Sequence, residues 1–175
     1  MAAHAVTFYS FKKFESTMSP IFIYEDKAIL PLTKELRQLI NITLSGGRFI
    51  LIHPHYSLIR EAMRLDIIEE ERLDDLEIVA GQYEQGEMIQ FSREDLLFLY
   101  SLLEITCRLF VCEIGDDLKR LAIECGDTNE EEFTRVRNFF LHQAESFLKI
   151  TQEALSDWEE FTSLQERIEQ LNILA

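Results

Sequence analysis

The densest run of apolar positions lies between Ser92 and Glu113. There Leu96 to Tyr100, Leu102, Leu103, Ile105, Cys107, Leu109, Phe110, Val111 and Cys112 are set against a thin polar stripe of Ser101, Glu104 and Arg108. A segment this apolar around most of its circumference predicts a helix that other elements surround. Ser92 suits its N-cap, because a serine oxygen accepts from the free N–H groups of the first turn. Glu94 and Asp95 add negative charge where the helix dipole favours it. Glu104 and Arg108, one turn apart, are placed to pair along the stripe. They also interrupt the roughly twenty apolar residues that a membrane span needs, so the segment reads as a core helix and no membrane association is expected.

Around this centre the pattern predicts shorter elements. Val6 to Phe11 and Ile21 to Tyr24 are aromatic and β-branched runs suited to short strands, with Ser19-Pro20 as a turn. Pro31 fits a first helical turn, and Leu32, Leu36, Leu39, Ile40, Thr43 and Leu44 follow at helical spacing until Gly46-Gly47 supplies a stop. Arg48 to His53, ended by Pro54, reads as a buried strand. Ser57 opens a helix through about Arg72, with Leu58, Ile59, Ala62, Met63 and Ile67 inward. Leu76 to Phe91 reads as a hairpin turning at Glu84 to Gly86, or else as a helix end followed by a loop.

Beyond the central helix, Gly115 is expected to break the run, and Asp116-Asp117 to restart a short helix closed by Gly126 after Cys125. Two capping boxes follow, Thr128 to Glu131 and Ser156 to Glu159. Behind the first, Phe133, Val136, Phe140, Ala144, Phe147, Thr151 and Ala154 form one stripe; behind the second, Trp158, Phe161, Leu164, Ile168 and Leu171 form another. These last two helices suit packing within the chain or a short coiled-coil seam that would make a homodimer. The fold expected is mainly α: a helical bundle around one central buried helix, with a small N-terminal β element. It forms a single helix-rich domain over residues 1–175, mixed over 1–56 and mostly helical and acidic over 57–175.

Charge alters this picture more than length does. The chain carries a formal charge of -15, unevenly placed: residues 1–65 hold 8 Lys and Arg against 5 Asp and Glu, and residues 66–175 hold 9 against 27. Such a balance argues against a simple nucleic-acid surface, which needs clustered cations to displace counterions from phosphates. It favours a basic protein partner. The acids concentrate in Asp66 to Glu77, where Asp66, Glu69, Glu70, Glu71, Asp74 and Asp75 form either a solvated face or the docking surface for that partner.

Candidate chemistry is sparse. There is no glycine-rich phosphate loop, no G-x-S-x-G elbow and no H-E-x-x-H. His53 and His55 could face one metal ion from an extended segment, but no third ligand is identifiable, so neither a metal nor a cofactor is assigned. Cys107 and Cys112 lie about 140° apart on a helix and cannot bond to one another. With an odd number of cysteines and no signal-peptide pattern in MAAHAVTFYSFKKF, a cytoplasmic protein with reduced thiols is expected.

One string is more specific. Arg137-Asn138-Phe139-Phe140-Leu141-His142 resembles the R-[N/D/H]-x-x-x-H motif of the HEPN domains, small all-α domains many of which are metal-independent ribonucleases and toxins. The resemblance implies a composite site at a dimer interface, with Arg137 and His142 serving RNA cleavage and Asn138 as the polar residue beside the arginine. The roles are chemically sound: a histidine near its pKa can move the 2′-hydroxyl proton, and a guanidinium can steady the phosphorane charge. The leading expectation is nonetheless a non-catalytic interaction or regulatory module (adaptor, immunity- or antitoxin-type inhibitor, or complex subunit), with the ribonuclease as the alternative.

Overall fold

A computed structural model of the chain describes residues 21–51, 57–111, 113–126 and 128–174. Among these residues the architecture is mainly α, with seven helices and a small three-stranded antiparallel sheet. In chain order the elements are β1 (Phe22–Tyr24), β2 (Lys27–Pro31), α1 (Lys34–Leu51), α2 (Ser57–Arg64), α3 (Glu70–Gly81), β3 (Met88–Ser92), α4 (Arg93–Val111), α5 (Glu113–Glu124), α6 (Glu130–Leu155) and α7 (Glu159–Leu174).

Helix α4 is the expected central helix. It packs against α1, α3, α5, α6, α7 and strands β2 and β3. Leu96, Leu99, Leu102, Leu103 and Ile105 are buried, as is Tyr100, whose ring meets Phe161 edge-on at 4.9 Å and whose hydroxyl accepts from Gln152 Nε2 at 2.8 Å. Ser92 caps it, its Oγ accepting from the Asp95 N–H at 3.1 Å. Glu104 and Arg108 pair at 3.6 Å. Ser101 and Thr106 are buried, and each satisfies its hydroxyl by donating to the carbonyl one turn back, Leu97 and Leu102. The polar stripe is therefore narrower than its residue types suggest.

The sheet has the order β1-β2-β3, and its third strand arrives from residue 88 onward. In β2 and β3 every second side chain turns inward: Ala28, Leu30, Ile89 and Phe91 are buried, and the residues between them face out. Pro31 ends β2 instead of starting a helix, and Thr33 takes the capping role, its Oγ1 accepting from the Leu36 N–H at 3.1 Å. The hairpin expected over Leu76 to Phe91 does not form. Leu73, Leu76 and Ala80 extend the α3 stripe to Gly81, and the turn at Gly86, with φ of 97°, delivers β3 to β2, away from the preceding segment. The expected strand at Val6 to Phe11 and its Ser19-Pro20 turn lie outside the described residues.

The largest revision concerns Gly46-Gly47. These glycines sit inside α1, which continues through Arg48 to Leu51, so Arg48 to Leu51 is helical where a strand was expected. Their role is close approach. A Cβ on Gly46 would stand 2.9 Å from Thr106 Cγ2, and one on Gly47 would stand 2.8 Å from Leu73 Cδ2 and 3.0 Å from Leu102 Cδ1. Glycine costs about 1 kcal/mol of helix propensity relative to alanine, and here it lets α1 lie directly on α4 and α3.

Other boundaries shift as well. Helix α2 ends at Arg64, because Asp66 takes a left-handed φ of 57°; Met63, expected inward, is 38% exposed. Gly115 falls within α5 and does not break a helix, whereas Gly126, with φ of 79°, does close the segment. At α6 the cap is Asn129, whose side chain accepts from the Glu132 N–H at 2.8 Å, and Thr128 does not serve. Ser156 donates back to Glu153 O, so the second box does not form. Both stripes of the last two helices are used within the chain: Phe140, Ala144, Phe147 and Thr151 of α6 are buried, together with Trp158 and with Phe161, Leu164, Ile168 and Leu171 of α7.

Replacing Gly46 by valine forces Cβ and its methyls into the buried Thr106 side chain. Urea unfolding should show a loss of about 1–3 kcal/mol, despite the gain in helix propensity.

Candidate functional site

Three helices begin on one side of the molecule. The N-terminal ends of α3, α4 and α7 border a groove of about 460 Å³, closed along one wall by the Asp66–Ile67 bend. Each helix carries acids in its first turn, Glu70 and Glu71, Glu94 and Asp95, and Glu159 and Glu160, where the unsatisfied N–H groups stabilise negative charge. Packing three such ends together gathers five carboxylates around the groove, from Asp66, Glu69, Glu94, Glu159 and Glu160, against two guanidiniums, Arg72 and Arg167. Its floor is apolar and nearly closed: Ile67, Phe98 and Leu164 are buried.

The arginines here act as struts. Arg72 bridges α3 to α4, reaching Glu94 at 3.2 Å. Arg167 of α7 donates to the carbonyls of Leu65 and Asp66, each at 3.1 Å, and so ties the bend to the last helix. Arg93 lies 4.3 Å above the Trp158 ring and reaches Glu160 at 3.2 Å and Asp26 at 3.4 Å, joining α4, α7 and the β1–β2 turn. The Nε groups of Arg93 and Arg167 are buried and have no acceptor among the described residues. Glu160's own backbone N–H, helped by Arg93, holds its carboxyl below the ordinary range. Asp66, Glu69 and Glu159 are exposed and enter no ion pair among the described residues. A second hollow of about 390 Å³ adjoins the groove, sharing Glu94, Leu97 and Glu160 and extending to Asp26 and Lys27.

The acids singled out from the sequence divide between two surfaces. Asp66 and Glu69 line the groove, whereas Glu70, Glu71, Asp74 and Asp75 are exposed on α3 outside it. Arg48 pairs with Asp74 at 3.6 Å and also with Glu77, and Arg72 lies 4.0 Å from Asp75. Arg137, Asn138 and His142 lie on α6 away from both hollows, Arg137 half-buried and the other two exposed. Helix α6 is unbroken from Glu130 to Leu155, so positions 137 and 142 project about 140° apart. A single copy does not set them on one face. The His53-Pro54-His55 segment lies outside the described residues. Among those described, no group of three His, Cys, Asp or Glu side chains is placed to hold a metal ion, and no helix is long and apolar enough to cross a membrane.

Sequence reasoning missed Arg93, Trp158, Arg167 and the acids at 94, 159 and 160 as members of one site. The acids, Arg93 and Trp158 lie at helix starts, a pattern that does not reveal which starts converge, and Arg167, in the middle of α7, carries no such signal. Comparison of the chain with protein-family models, curated proteins and solved structures gives no match.

The thiols differ sharply. Burial, reinforced by Glu104, pushes Cys107 from 9.0 up to about 12, while Cys125 is exposed beyond the end of α5. At pH 8, iodoacetamide followed by peptide mass mapping should alkylate Cys125 at least about tenfold faster than Cys107. The raised acid pKa means that the native state holds a proton which the unfolded chain releases. Cys107 therefore contributes a loss of stability as pH rises from about 9 towards about 12, which a Cys107→Ala variant should lack.

Proposed function

We propose that this chain is a non-catalytic protein-interaction module that binds a basic protein partner through the carboxylates of α3 and of the adjoining groove. One observation carries the reading: on this side of the molecule, exposed acids outnumber their cations, and Arg48, Arg72, Arg93 and Arg167 are already engaged in holding elements together. The field left over is negative, and a field of one sign steers an oppositely charged partner and speeds encounter more than it lengthens the life of the complex. The reading places the module in the cytoplasm, where its thiols stay reduced.

The partner, once isolated by affinity capture, should associate more slowly as salt rises from about 0.01 M to about 1 M, which shortens the screening length from roughly 30 Å to roughly 3 Å. A Glu70→Lys/Glu71→Lys/Asp74→Lys variant should lower the association rate about tenfold at low salt in surface plasmon resonance. Rates indifferent to both salt and charge reversal would defeat the reading.

A second reading, a metal-independent ribonuclease of HEPN type, is favoured by the exposure of Asn138 and His142 on α6. It requires two copies to assemble the site. It expects a dimer that cleaves RNA in EDTA, with cleavage lost in His142→Ala and in Arg137→Ala; uncut RNA with folded wild-type protein removes it.

A further inference from the structure

The sheet has an outer face with large apolar side chains exposed among the described residues. Phe22 is 60% exposed, Tyr24 67% and Met88 46%, and these are among the most exposed large apolar side chains of the described residues. The register explains the grouping. Phe22 stands beside Ile29 and Gln90, and Tyr24 beside Lys27 and Ser92, so these residues share the face opposite Ala28, Ile89 and Phe91. Apolar residues normally turn inward on a one-sided sheet, and β1 presents two aromatic rings outward instead.

The face runs into the acidic groove. Lys27, the cross-strand neighbour of Tyr24, and Ser92, the neighbour of Lys27 on β3, line the second hollow together with Asp26, Arg93, Glu94 and Glu160. Adjacent strands lie about 5 Å apart, so Tyr24 stands next to Lys27 in that hollow's wall. An apolar aromatic strip and a carboxylate-lined channel thus lie side by side. Two parallel strips of different character match the two flanks of an amphipathic helix, whereas a strand would alternate its faces at every residue.

We propose that this composite surface is the docking site for a basic amphipathic helix of a protein partner, its Lys and Arg side chains on Glu94, Glu159 and Glu160 and its apolar flank on Phe22 and Tyr24. The inference rests on the reading of the chain as a module for a basic partner, and it names the form and place of contact. Aromatic anchors beside charged rims are the usual make-up of the residues that dominate such interfaces. Exposed Asp66, Glu69 and Glu159 enter no ion pair among the described residues, and they line the groove.

The single tryptophan reports on the site, since Trp158 lies under Arg93, which lines the second hollow. Two synthetic peptides of about eighteen residues, roughly five helical turns, serve as probes: a Leu/Lys sequence patterned as an amphipathic helix, and a Ser/Lys sequence with the same number of lysines. They are titrated into the full chain by calorimetry, with Trp158 emission followed in parallel. The Leu/Lys peptide should bind at least about tenfold tighter than the Ser/Lys peptide and alter the emission. Phe22→Ser/Tyr24→Ser, at exposed positions that leave the core intact, should abolish the preference and leave Ser/Lys binding unchanged. Glu94→Gln/Glu159→Gln should weaken both peptides.

A preference for Leu/Lys that survives Phe22→Ser/Tyr24→Ser, or equal affinity for the two peptides, overturns the composite site and leaves the basic-partner reading standing. Binding of neither peptide to the folded wild-type protein overturns both.

Discussion

Helix α4 has almost no side to give to water, and that constraint organises the molecule. Leu96, Leu99, Leu102, Leu103 and Ile105 project in several directions around its axis, so one packed layer cannot cover them. Five other helices and two strands close around it. Full burial of a leucine is worth roughly 1.5–3 kcal/mol, and a helix dense in such residues repays the order imposed on its neighbours. The closeness of the packing depends on Gly46 and Gly47, since a helix with side chains at those positions would be held away from Thr106 and Leu102. The buried hydroxyls of Thr43, Ser101, Thr106 and Thr151 each turn back to a carbonyl of their own helix, so these four groups are satisfied without partners from elsewhere.

The acidic side follows from the same packing. A helix that starts at the surface favours acids in its first turn, and α3, α4 and α7 all obey. For each helix alone that placement is ordinary capping chemistry. Because the core brings the three starts together, local preferences add to a shared negative field. The arginines among them hold that arrangement open: Arg72, Arg93 and Arg167 each span two or more elements, and like charges that would otherwise repel are kept apart by guanidiniums whose charges are already committed. The arginines thus serve the packing inward, and the remaining carboxylates face outward.

Much of the helical content was legible because long apolar stripes have few alternative readings. The α4, α6 and α7 stripes are of this kind, and the buried residues of α7 are those that its three- and four-residue steps select. The errors cluster where glycine or a short polar residue has more than one use. Gly46-Gly47 resembles a stop and serves as a contact; Gly115 resembles a break and lies within a helix; Thr128 and Ser156 resemble caps, yet only Asn129 among the neighbouring candidates takes that role. A glycine permits both a left-handed turn and a close approach, and only the neighbouring element decides between them.

By itself, then, the sequence determined the helix-rich class, the central buried helix, the faces of the last two helices and the excess of acid, because each depends on residues near one another along the chain. The tertiary structure alone decided which helix starts meet, where β3 pairs, that two glycines mark a crossing, and that an aromatic sheet face borders an acidic groove. Those features depend on separations such as Arg93 to Glu160 and Arg167 to Leu65, 67 and 102 residues apart in the chain. A local pattern records what each residue prefers, and only the packed core sets which preferences become neighbours.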